Sequence, residues 1–394
     1  MSAMSRLVRV LIGSSIVLGA LCLVVYLSDP LFWKRLLTFP GSGTVTEVQW
    51  YQPSEVVAGP EREDLTPSAA GHRSISRQAL DAAVEYGTQT HSVALLVWHQ
   101  GSLQLEHYWP GYDRHSRTDS GAMHATVLAL LYGAALEEGV IRSLDEPAAT
   151  YLPEWRNDAH ARIRIRDLLQ MSSGLEYQAV SRNPWNQGLR LFLGSDITTR
   201  ALRAPVSVEP GTRFEYNNVD AEILGIILQR ASGKRYARYL SERMWNRLDV
   251  GEAAVWLDRE AGMAHTFCCL QTTARGWLAV GRSILDLGQV AGEQVVPAAW
   301  VLEMLKGSGT NPNFGLQIWL GNAGAGERRD NGAGPVRAKQ SEPFVARDIA
   351  FLGGAGGQRV YIIPSQLLII VRTGARRSDW DDAKLPNAIL RGVS

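Results

Sequence analysis

The sequence has few cysteines, and their positions exclude a disulfide framework. There are three in 394 residues, namely Cys22, Cys268 and Cys269. Cys22 lies in a long apolar run, and the other two are adjacent, so they could pair only through a strained eight-membered ring. We therefore predict that Cys268 and Cys269 are unpaired small residues in a buried turn. The chain also has no Cys-x-x-Cys and no His-Glu-x-x-His pattern, so we predict no metal site and no cofactor.

The sequence also has no excess of charge of either sign. Its 40 basic and 39 acidic residues give a formal net charge of +1, and no block of Arg or Lys exceeds two residues. Nucleic-acid-binding domains carry a basic patch or stripe. We therefore predict no nucleic-acid partner. With 45% hydrophobic and 20% charged residues, the composition is typical of a globular body.

What the sequence does contain is one long uncharged run near its start. Residues 10–27 (VLIGSSIVLGALCLVVYL) carry no charge, and a helix of this length spans roughly 27 Å, close to the thickness of a hydrocarbon core. We predict a single-pass transmembrane anchor over 10–27 and a cytoplasmic N-terminus over 1–9. The body would then be extracytoplasmic, and periplasmic if the source is Gram-negative. Two arginines before the run favour this orientation, although Lys34 and Arg35 follow it closely.

The alternative to an anchor is a cleaved signal peptide. Its apolar region is usually about 7 to 15 residues long and is followed by a small-x-small cleavage site. No convincing Ala-x-Ala follows the run, and Leu21 does not provide the small residue that lipid modification of Cys22 would need. The uncleaved anchor is therefore favoured, with Phe32 and Trp33 at the far membrane interface.

Between the anchor and the body, the sequence predicts a connecting segment and then two regular elements. Residues 28–75 are rich in Pro and Gly without apolar periodicity, which indicates a linker or a surface strap. A helix is predicted over 74–86, with Ser76 as its candidate cap. A hairpin is predicted over 92–113, because two apolar runs flank Gln100-Gly101.

Four further segments occur in an informative order. They are residues 119–139 (DSGAMHATVLALLYGAALEEG), 163–175 (IRIRDLLQMSSGL), 210–218 (PGTRFEYNN) and 351–364 (FLGGAGGQRVYIIP). The series resembles the serine β-lactamase-related hydrolases. The first segment is similar to the nucleophile helix of that family, and the third matches its Tyr-x-Asn signature at Tyr216 and Asn218. The fourth is similar to the third signature strand, and the resemblance covers most of the chain after about residue 76.

The resemblance implies an α/β (α+β) fold of the β-lactamase/transpeptidase type over residues 76–394. An antiparallel sheet, built from the N-terminal hairpin and the C-terminal strands, would be flanked by helices, with a mainly helical lobe over about 145–290. The Gly-rich segment 321–334 reads as a mobile loop. The family includes class C β-lactamases, penicillin-binding carboxypeptidases, esterases and 6-aminohexanoate-dimer hydrolases, and the Gly-Gly-Ala-Gly-Gly-Gln run looks closest to the last group. The implied substrate class is an amide or ester, reached through an acyl-enzyme.

The nucleophile helix of this chain lacks the family's two reactive side chains. Counted back from its Leu-Glu-Glu-Gly end, the serine of Ser-x-x-Lys falls on Ala122 and the lysine on Ala125. A methyl group can neither attack a carbonyl nor carry a proton. In the third signature, Phe351 and Leu352 occupy the Lys and Thr positions, while Gly353 is retained. Neither Ser-x-x-Lys nor Gly-x-Ser-x-Gly occurs anywhere in the chain.

Two nearby residues are candidate substitutes for the missing pair. Ser120 precedes the expected nucleophile position by two residues, and His124 precedes the lysine position by one. Ser120 is more naturally a helix-capping side chain, and His124 a polar residue at a helix start. The alternative, an amide or ester hydrolase that uses Ser120 or a water activated by His124 or Tyr216, stays open.

Part of the inherited site does not depend on the lost side chains. An oxyanion hole is built from backbone N–H groups, here at Ala122 and near Gly354, with the helix dipole behind them. Tyr216 and Asn218 would be polar walls of the cleft, or would only hold the two lobes together. The leading hypothesis is a pseudoenzyme, attached to the membrane by its N-terminal helix, that binds a small amide, ester or peptide-like ligand. A third interpretation, in which the body is vestigial and the anchor and linker carry the interaction, also stays open.

Overall fold

The computed structural model describes residues 3–62, 74–321, 326–329 and 336–393. The helices are α1 (Ala3–Ser28), α2 (Pro30–Leu37), α3 (Arg77–Gln89), α4 (His124–Glu137), α5 (Ile165–Leu169), α6 (Gln187–Leu193), α7 (Ile197–Leu202), α8 (Asn218–Ser232), α9 (Tyr236–Leu240), α10 (Asn246–Leu248), α11 (Ala274–Leu285), α12 (Ala298–Met304) and α13 (Lys384–Leu390). The strands are β1 (Ser54–Val57), β2 (Ser92–His99), β3 (Ser102–Tyr108), β4 (Arg117–Asp119), β5 (Ala253–Trp256), β6 (Leu270–Thr273), β7 (Gln289–Val290), β8 (Glu293–Gln294), β9 (Trp319–Leu320), β10 (Gly326–Arg329), β11 (Val336–Gln340), β12 (Ala350–Gly354), β13 (Gln358–Ile363) and β14 (Leu368–Gly374).

A six-stranded antiparallel sheet forms the centre of the body, in the order β3-β2-β14-β13-β12-β9. It joins the N-terminal hairpin to the C-terminal strands. Helices α3 and α11 both pack on β2, and β14 is buried at every position, as expected for a sheet that is covered on both faces. The predicted fold class, an antiparallel sheet flanked by helices, is confirmed.

Two local predictions in the body are also confirmed. Helix α3 begins directly after Ser76, whose hydroxyl accepts a hydrogen bond from the Ala79 N–H. Strands β2 and β3 form the predicted hairpin, and the chain turns at Gln100 and Gly101, both of which have positive φ. Both elements follow from short-range sequence patterns, which explains why the sequence was sufficient to find them.

The lobe that was predicted as mainly helical contains a small sheet as well. Helices α5 to α11 lie within residues 145–290, but α11 packs on the central sheet. Strands β5 and β6 belong to a four-stranded sheet of order β1-β5-β6-β4. Strand β1 comes from the segment that was predicted as a linker or strap. These strands have only three or four residues each, which is too short for an alternating pattern to stand out in the sequence.

Helix α1 contains the predicted anchor. Residues Leu11–Ser28 are apolar and none of this window is buried against the body. In the described part of the chain, α1 is the helix that is long and apolar enough to cross a membrane. Length and composition alone fit a membrane anchor and a signal sequence equally.

The chain after α1 packs on the body. Helix α2 contacts α6, and Phe32 and Arg35 of α2 are buried. Phe32 was predicted to lie at the membrane interface, and that prediction is wrong, because its ring packs under the guanidinium of Arg190 at 4.4 Å. Two 3₁₀ turns, Gly41–Val45 and Val48–Trp50, continue from α2 towards β1.

Two predicted segments fall partly outside the described residues. Of the predicted linker, residues 63–73 are not described. Of the predicted mobile loop at 321–334, the structure describes Gly321 and β10, which pairs with β11.

Candidate functional site

A cavity of about 920 Å³ lies between the start of the buried helix α4, the end of β12 and the helical lobe. Five of the residues singled out in the sequence line it together, namely Ala122, Tyr216, Asn218, Gly353 and Gly354. The sequence places them in three segments that are far apart, and the fold brings them to one cleft. Ser120, His124 and Ala125 are not among its lining residues.

The floor of the cleft is a close contact between the start of the nucleophile helix and β12. Gly121 has φ +51°, and a Cβ there would lie 2.9 Å from the Ala355 N. A Cβ on Gly354 would lie 2.3 Å from the Ser120 carbonyl oxygen. Glycine at both positions therefore lets the two backbones meet. Ala122 follows directly, with its methyl group in the cavity wall.

The Tyr-x-Asn segment forms a second wall. The Tyr216 ring stacks on the indole of Trp319, with ring centroids 5.8 Å apart and an angle of 14° between the planes. Asn218 is the first residue of α8. Between them, Asn217 is buried, caps α8 by accepting the Val219 N–H and donates to the Leu175 carbonyl. The segment is thus held by the Trp319 ring on one side and by α8 and Leu175 on the other. Such contacts fit a wall that binds a ligand and equally a wall that only holds the two lobes together.

Ser120 does not cap the helix. It is fully buried, and its hydroxyl donates to the Gly121 carbonyl at 2.8 Å. No side-chain cap bond exists at this helix start, so the predicted capping role is wrong. Asp119 takes a similar role instead, because its Oδ2 accepts the Gly121 N–H at 3.0 Å. Buried and bonded in this way, the Ser120 hydroxyl does not reach the cavity.

His124 lies in the core behind the cleft. Its Nδ1 donates to the carbonyl oxygens of Cys268 and His265, and its Nε2 accepts from the Tyr236 hydroxyl at 2.8 Å. Burial lowers the pKa of His124 to about 4, so the ring is neutral at pH 7. The prediction that His124 could replace the lysine as a base in the cleft therefore has no geometric basis. As the first residue of α4, it points its ring to the core side.

Phe351 and Leu352 also face away from the cavity. Both are buried, and the Phe351 ring packs against Tyr361, Phe344 and Trp319. The two apolar side chains in the third signature therefore belong to the core, while the two glycines that follow line the cavity.

The most distinctive polar group in the cleft was missed in the sequence. Asp119 lines the cavity beside Ala122 and is only 6% exposed. Burial raises the pKa of Asp119 to about 7. Among the described residues, neither its Oδ1 nor Oγ1 of the buried Thr44, which lines the same cavity, has a partner within hydrogen-bond distance. The Tyr51 hydroxyl donates to the Thr44 carbonyl, and its interaction with the Asp119 carboxyl opposes part of the rise in the pKa of Asp119.

Only part of this polar corner had a sequence signal. Asp119 stands at a helix start, where an acidic residue is common, and could have been singled out there. Thr44 and Tyr51 come from the predicted linker, and nothing local shows that this segment folds over the cleft. Arg376, whose charge opposes the rise in the pKa of Asp119, follows the last strand.

The two adjacent cysteines are bonded to each other and line the cavity. The prediction that Cys268 and Cys269 are unpaired is therefore wrong, whereas their burial was predicted correctly. The chain turns at Cys269, whose φ is +73°. The disulfide between the two neighbours thus occurs together with a positive φ at Cys269, which the sequence does not reveal.

Metal ligands are not grouped in the described part of the chain. There, no set of three or more His, Cys, Asp or Glu side chains lies close enough to hold a metal ion. The charged residues of the cavity are of both signs, so an organic ligand with polar groups fits the wall chemistry. They are Asp119, Glu176, Asp196, Arg200, Arg203 and Arg376.

The chain is similar to one protein family and to several curated proteins. The family model described as Beta-lactamase matches residues 77–392. The 6-aminohexanoate-dimer hydrolase of Paenarthrobacter ureafaciens is 25% identical over 229 residues, which are 56% of this chain and 58% of that protein. Protein flp of Staphylococcus aureus (strain MW2) is 24% identical over 192 residues, which are 44% of this chain and 37% of that protein. The matches thus span less than two thirds of these curated relatives.

Solved structures extend the similarity to most of the chain. A Bacillus anthracis protein proposed to be a 6-aminohexanoate-dimer hydrolase superimposes with a TM-score of 0.70 at 20% identity, covering 91% of this chain and 93% of that one. A penicillin-binding protein from Bacillus halodurans gives a TM-score of 0.57 at 14% identity, covering 79% of this chain and 100% of that one. At these identities the likeness concerns the fold alone.

Proposed function

This chain belongs to the β-lactamase family, and we propose that within that family it is a pseudoenzyme, which binds a ligand in the inherited cleft without becoming acylated. The ligand class we propose is a small amide, ester or peptide-like molecule. We also propose that α1 anchors the protein in a membrane as a single span, with the body on the extracytoplasmic side, in the periplasm if the source is Gram-negative.

One observation carries this proposal, namely the chemistry of the cavity wall. Ala122 lies where we expect the family's nucleophile. Among the described residues that line the cavity there is no serine, lysine or histidine, and both cysteines are bonded to each other. Acyl transfer through a covalent intermediate needs a nucleophile and a base within hydrogen-bond reach of each other. The described wall therefore lacks the serine and the lysine or histidine base of the family's reaction.

The same wall is equipped for binding. Asp119 Oδ1 and Thr44 Oγ1 are buried polar atoms that find no partner in the part of the chain that the structure describes, and burying such an atom costs free energy until something bonds to it. An amide or ammonium N–H of a ligand would satisfy the carboxylate oxygen. The cavity volume lies at the upper end of the usual range for small-molecule sites, about 300 to 1,000 Å³.

A second candidate function rests on the same carboxyl group. A buried aspartate whose pKa is about 7 is matched to general-base catalysis near neutral pH. In this alternative, Asp119 would take a proton from a water molecule as that water attacks the ligand's amide or ester carbonyl, and would give the proton to the leaving amine or alcohol as the C–N or C–O bond breaks. The protein would then hydrolyse its ligand without an acyl-enzyme, in keeping with the activity of its family.

Covalent labelling and hydrolysis together separate the two functions. We expect that neither a fluorescent penicillin nor a fluorophosphonate labels the full-length protein in nanodiscs. We also expect no nitrophenyl-ester hydrolysis above background. Ester hydrolysis without labelling that is lost in Asp119→Asn and kept in Ser120→Ala would support the water-based alternative. Labelling of the wild-type protein would exclude both proposals.

The pH dependence of stability tests the environment of Asp119. Its pKa rises from 3.8 in the unfolded chain to about 7, so the folded state holds the proton more tightly. The stabilisation is therefore complete at low pH and declines as the pH rises from about 4 to about 7. A shift of this size corresponds to about 4 kcal/mol in the free energy of unfolding.

Asp119→Asn is the matched variant, because the amide has the shape of the carboxyl group and does not titrate. We expect the wild type minus variant difference in the free energy of unfolding, measured by urea denaturation, to fall between pH 4 and pH 7. Other buried titratable groups are common to both proteins and cancel in the difference. Parallel pH profiles for the two proteins would show that the Asp119 carboxyl is not desolvated.

A further inference from the structure

The helix that walls the cleft is also the helix on which the N-terminal segment docks. On one side of α6, Gln187, Gly188, Leu191 and Phe192 line the cavity. On another side, α6 contacts α2, and Arg190 of α6 lies over the Phe32 ring at 4.4 Å. Helix α6 therefore lies between the cleft and α2.

The junction between α1 and the body is fixed by specific contacts. Asp29 caps α2 by accepting the Phe32 N–H and also accepts the Ser195 N–H, so it connects the end of α1 to the loop after α6. Arg35 donates to the carbonyl oxygens of residues in three different parts of the body, which are Gln52, Leu193, Gly194 and Leu257. These contacts hold α2 against the body. They therefore determine which face of the body lies next to the last turn of α1.

Part of the cavity wall lies next to the last turn of α1. The Trp33 indole N–H donates to the Val25 carbonyl in the last turn of α1, and its ring contacts the Trp185 ring at 6.3 Å. Trp185 belongs to residues 177–188, which we call the rim segment, and six residues of this segment line the cavity: Tyr177, Gln178, Ala179, Val180, Gln187 and Gly188. Trp185 of the rim segment is thus connected through Trp33 to the last turn of α1.

The surface chemistry of the rim segment fits a bilayer interface. Val180 and Trp185 are 54% and 59% exposed. Tryptophan prefers the membrane–water boundary. The rim segment and α2 contain no acidic residue, but they contain exposed Arg182 and Lys34, and basic residues are attracted to anionic headgroups.

We propose that the rim segment lies on the bilayer that holds α1, and that the cleft takes its ligand from that bilayer. The ligand would be an amphiphile whose amide or ester head enters the cavity while its apolar tail leaves past Val180 towards the lipid. This inference rests on the proposed binding function and names the class of ligand for the same cavity.

Spin labels at two matched valines test the position of the rim. Val180→Cys and Val345→Cys replace the same residue at 54% and 53% exposure, each in a Cys22→Ser background and without reductant. In the full-length protein in nanodiscs, we expect the label at 180 to be accessible to oxygen, which concentrates in lipid. The label at 345 should be accessible to a water-soluble nickel chelate. Equal accessibility to the nickel chelate at both positions would overturn the proposal.

Two probes then test the ligand class separately from the binding function. N-acetylglycinamide reports on the cleft alone, and N-dodecanoylglycinamide with a diazirine at the tail end reports on capture from the bilayer. We expect binding of both, with photo-crosslinks from the diazirine to the rim segment. Trp185→Asp should reduce crosslinking about tenfold, since it removes a large apolar contact with the interface. Val345→Asp serves as the control and should not reduce it.

The outcomes separate a failure of the membrane-facing rim from a failure of ligand binding. If N-acetylglycinamide binds and Trp185→Asp leaves crosslinking unchanged while the variant is folded, the membrane-facing mouth is excluded and the binding function stands. If neither probe binds the wild-type protein, the proposed binding of amides fails, and the ligand class inferred here fails with it.

Discussion

Ala122→Ser combined with Ala125→Lys should restore ester hydrolysis, at least tenfold above the rate of the wild-type protein. Loss of the nucleophile or base in a serine hydrolase can cost about 10⁶ in kcat, so even partial reconstruction produces a large signal. The cavity is open beside residue 122, and residues three apart on a helix meet on one face. The measurement is nitrophenyl-ester hydrolysis together with fluorophosphonate labelling of the introduced serine.

The difficult half of this double variant is position 125. Ala125 is 1% exposed and does not line the cavity, so a lysine there must find space in a packed helix. Overpacking of this kind typically costs about 1 to 3 kcal/mol, and we expect a lower melting temperature. Ala122→Ser with Ala125→Met is the matched control, because methionine has a similar length without the amine. It should be destabilised to a similar degree and remain inactive.

A third substitution tests whether the restored reaction uses the inherited wall. Tyr216→Phe in the double variant should reduce the regained rate, because the family's tyrosine takes part in proton transfer. A folded double variant that is neither labelled nor active would contradict the assignment of positions 122 and 125. That result would leave the cleft as a binding site whose geometry has moved away from acyl transfer.

The elements that were predicted correctly from the sequence are those held by interactions between residues close together in the chain. Helix α3 and its Ser76 cap depend on residues within one turn, and the hairpin depends on two neighbouring runs, so both were predicted correctly. The family motifs extended this to the order of the elements. They predicted that residues near 122, 216 and 353 would meet in one cleft, although no local pattern indicates such a meeting.

The failures concern side chains whose direction is decided by packing. Ser120 and His124 were plausible substitutes by their spacing in the sequence. The spacing does not show in which direction each side chain leaves the helix, and both turn away from the cavity. Asp119, one residue before Ser120, is a buried carboxyl group that does line the cavity. Thr44 and Tyr51 were missed because the segment that carries them is held by contacts with distant strands, and its Pro and Gly content resembles that of a linker.

Arg35→Met should be strongly destabilising, because Arg35 fixes that N-terminal segment to the body. Its guanidinium is buried and donates to four backbone carbonyls, and it lies 4.6 Å from the Trp256 ring. Methionine fills much of the volume but leaves these acceptors without a donor, at a cost of about 1 to 3 kcal/mol for each one that stays unsatisfied. Some will recover a bond to water, so we expect a net loss of about 3 to 5 kcal/mol in the free energy of unfolding.

Lys34→Met is the matched control for this variant, since it removes a neighbouring cation that is exposed and should change the free energy by less than about 0.5 kcal/mol. Two of the four carbonyls belong to Leu193 and Gly194, at the end of the helix that walls the cleft. Arg35→Met should therefore also accelerate hydrogen exchange in α6, whereas Lys34→Met should not. If both variants keep the stability and the exchange pattern of the wild type, α2 is not required to hold that wall. If only Arg35→Met changes both, the segment after the apolar helix is a structural part of the binding site, and removing it from a soluble form of the protein would damage the cleft.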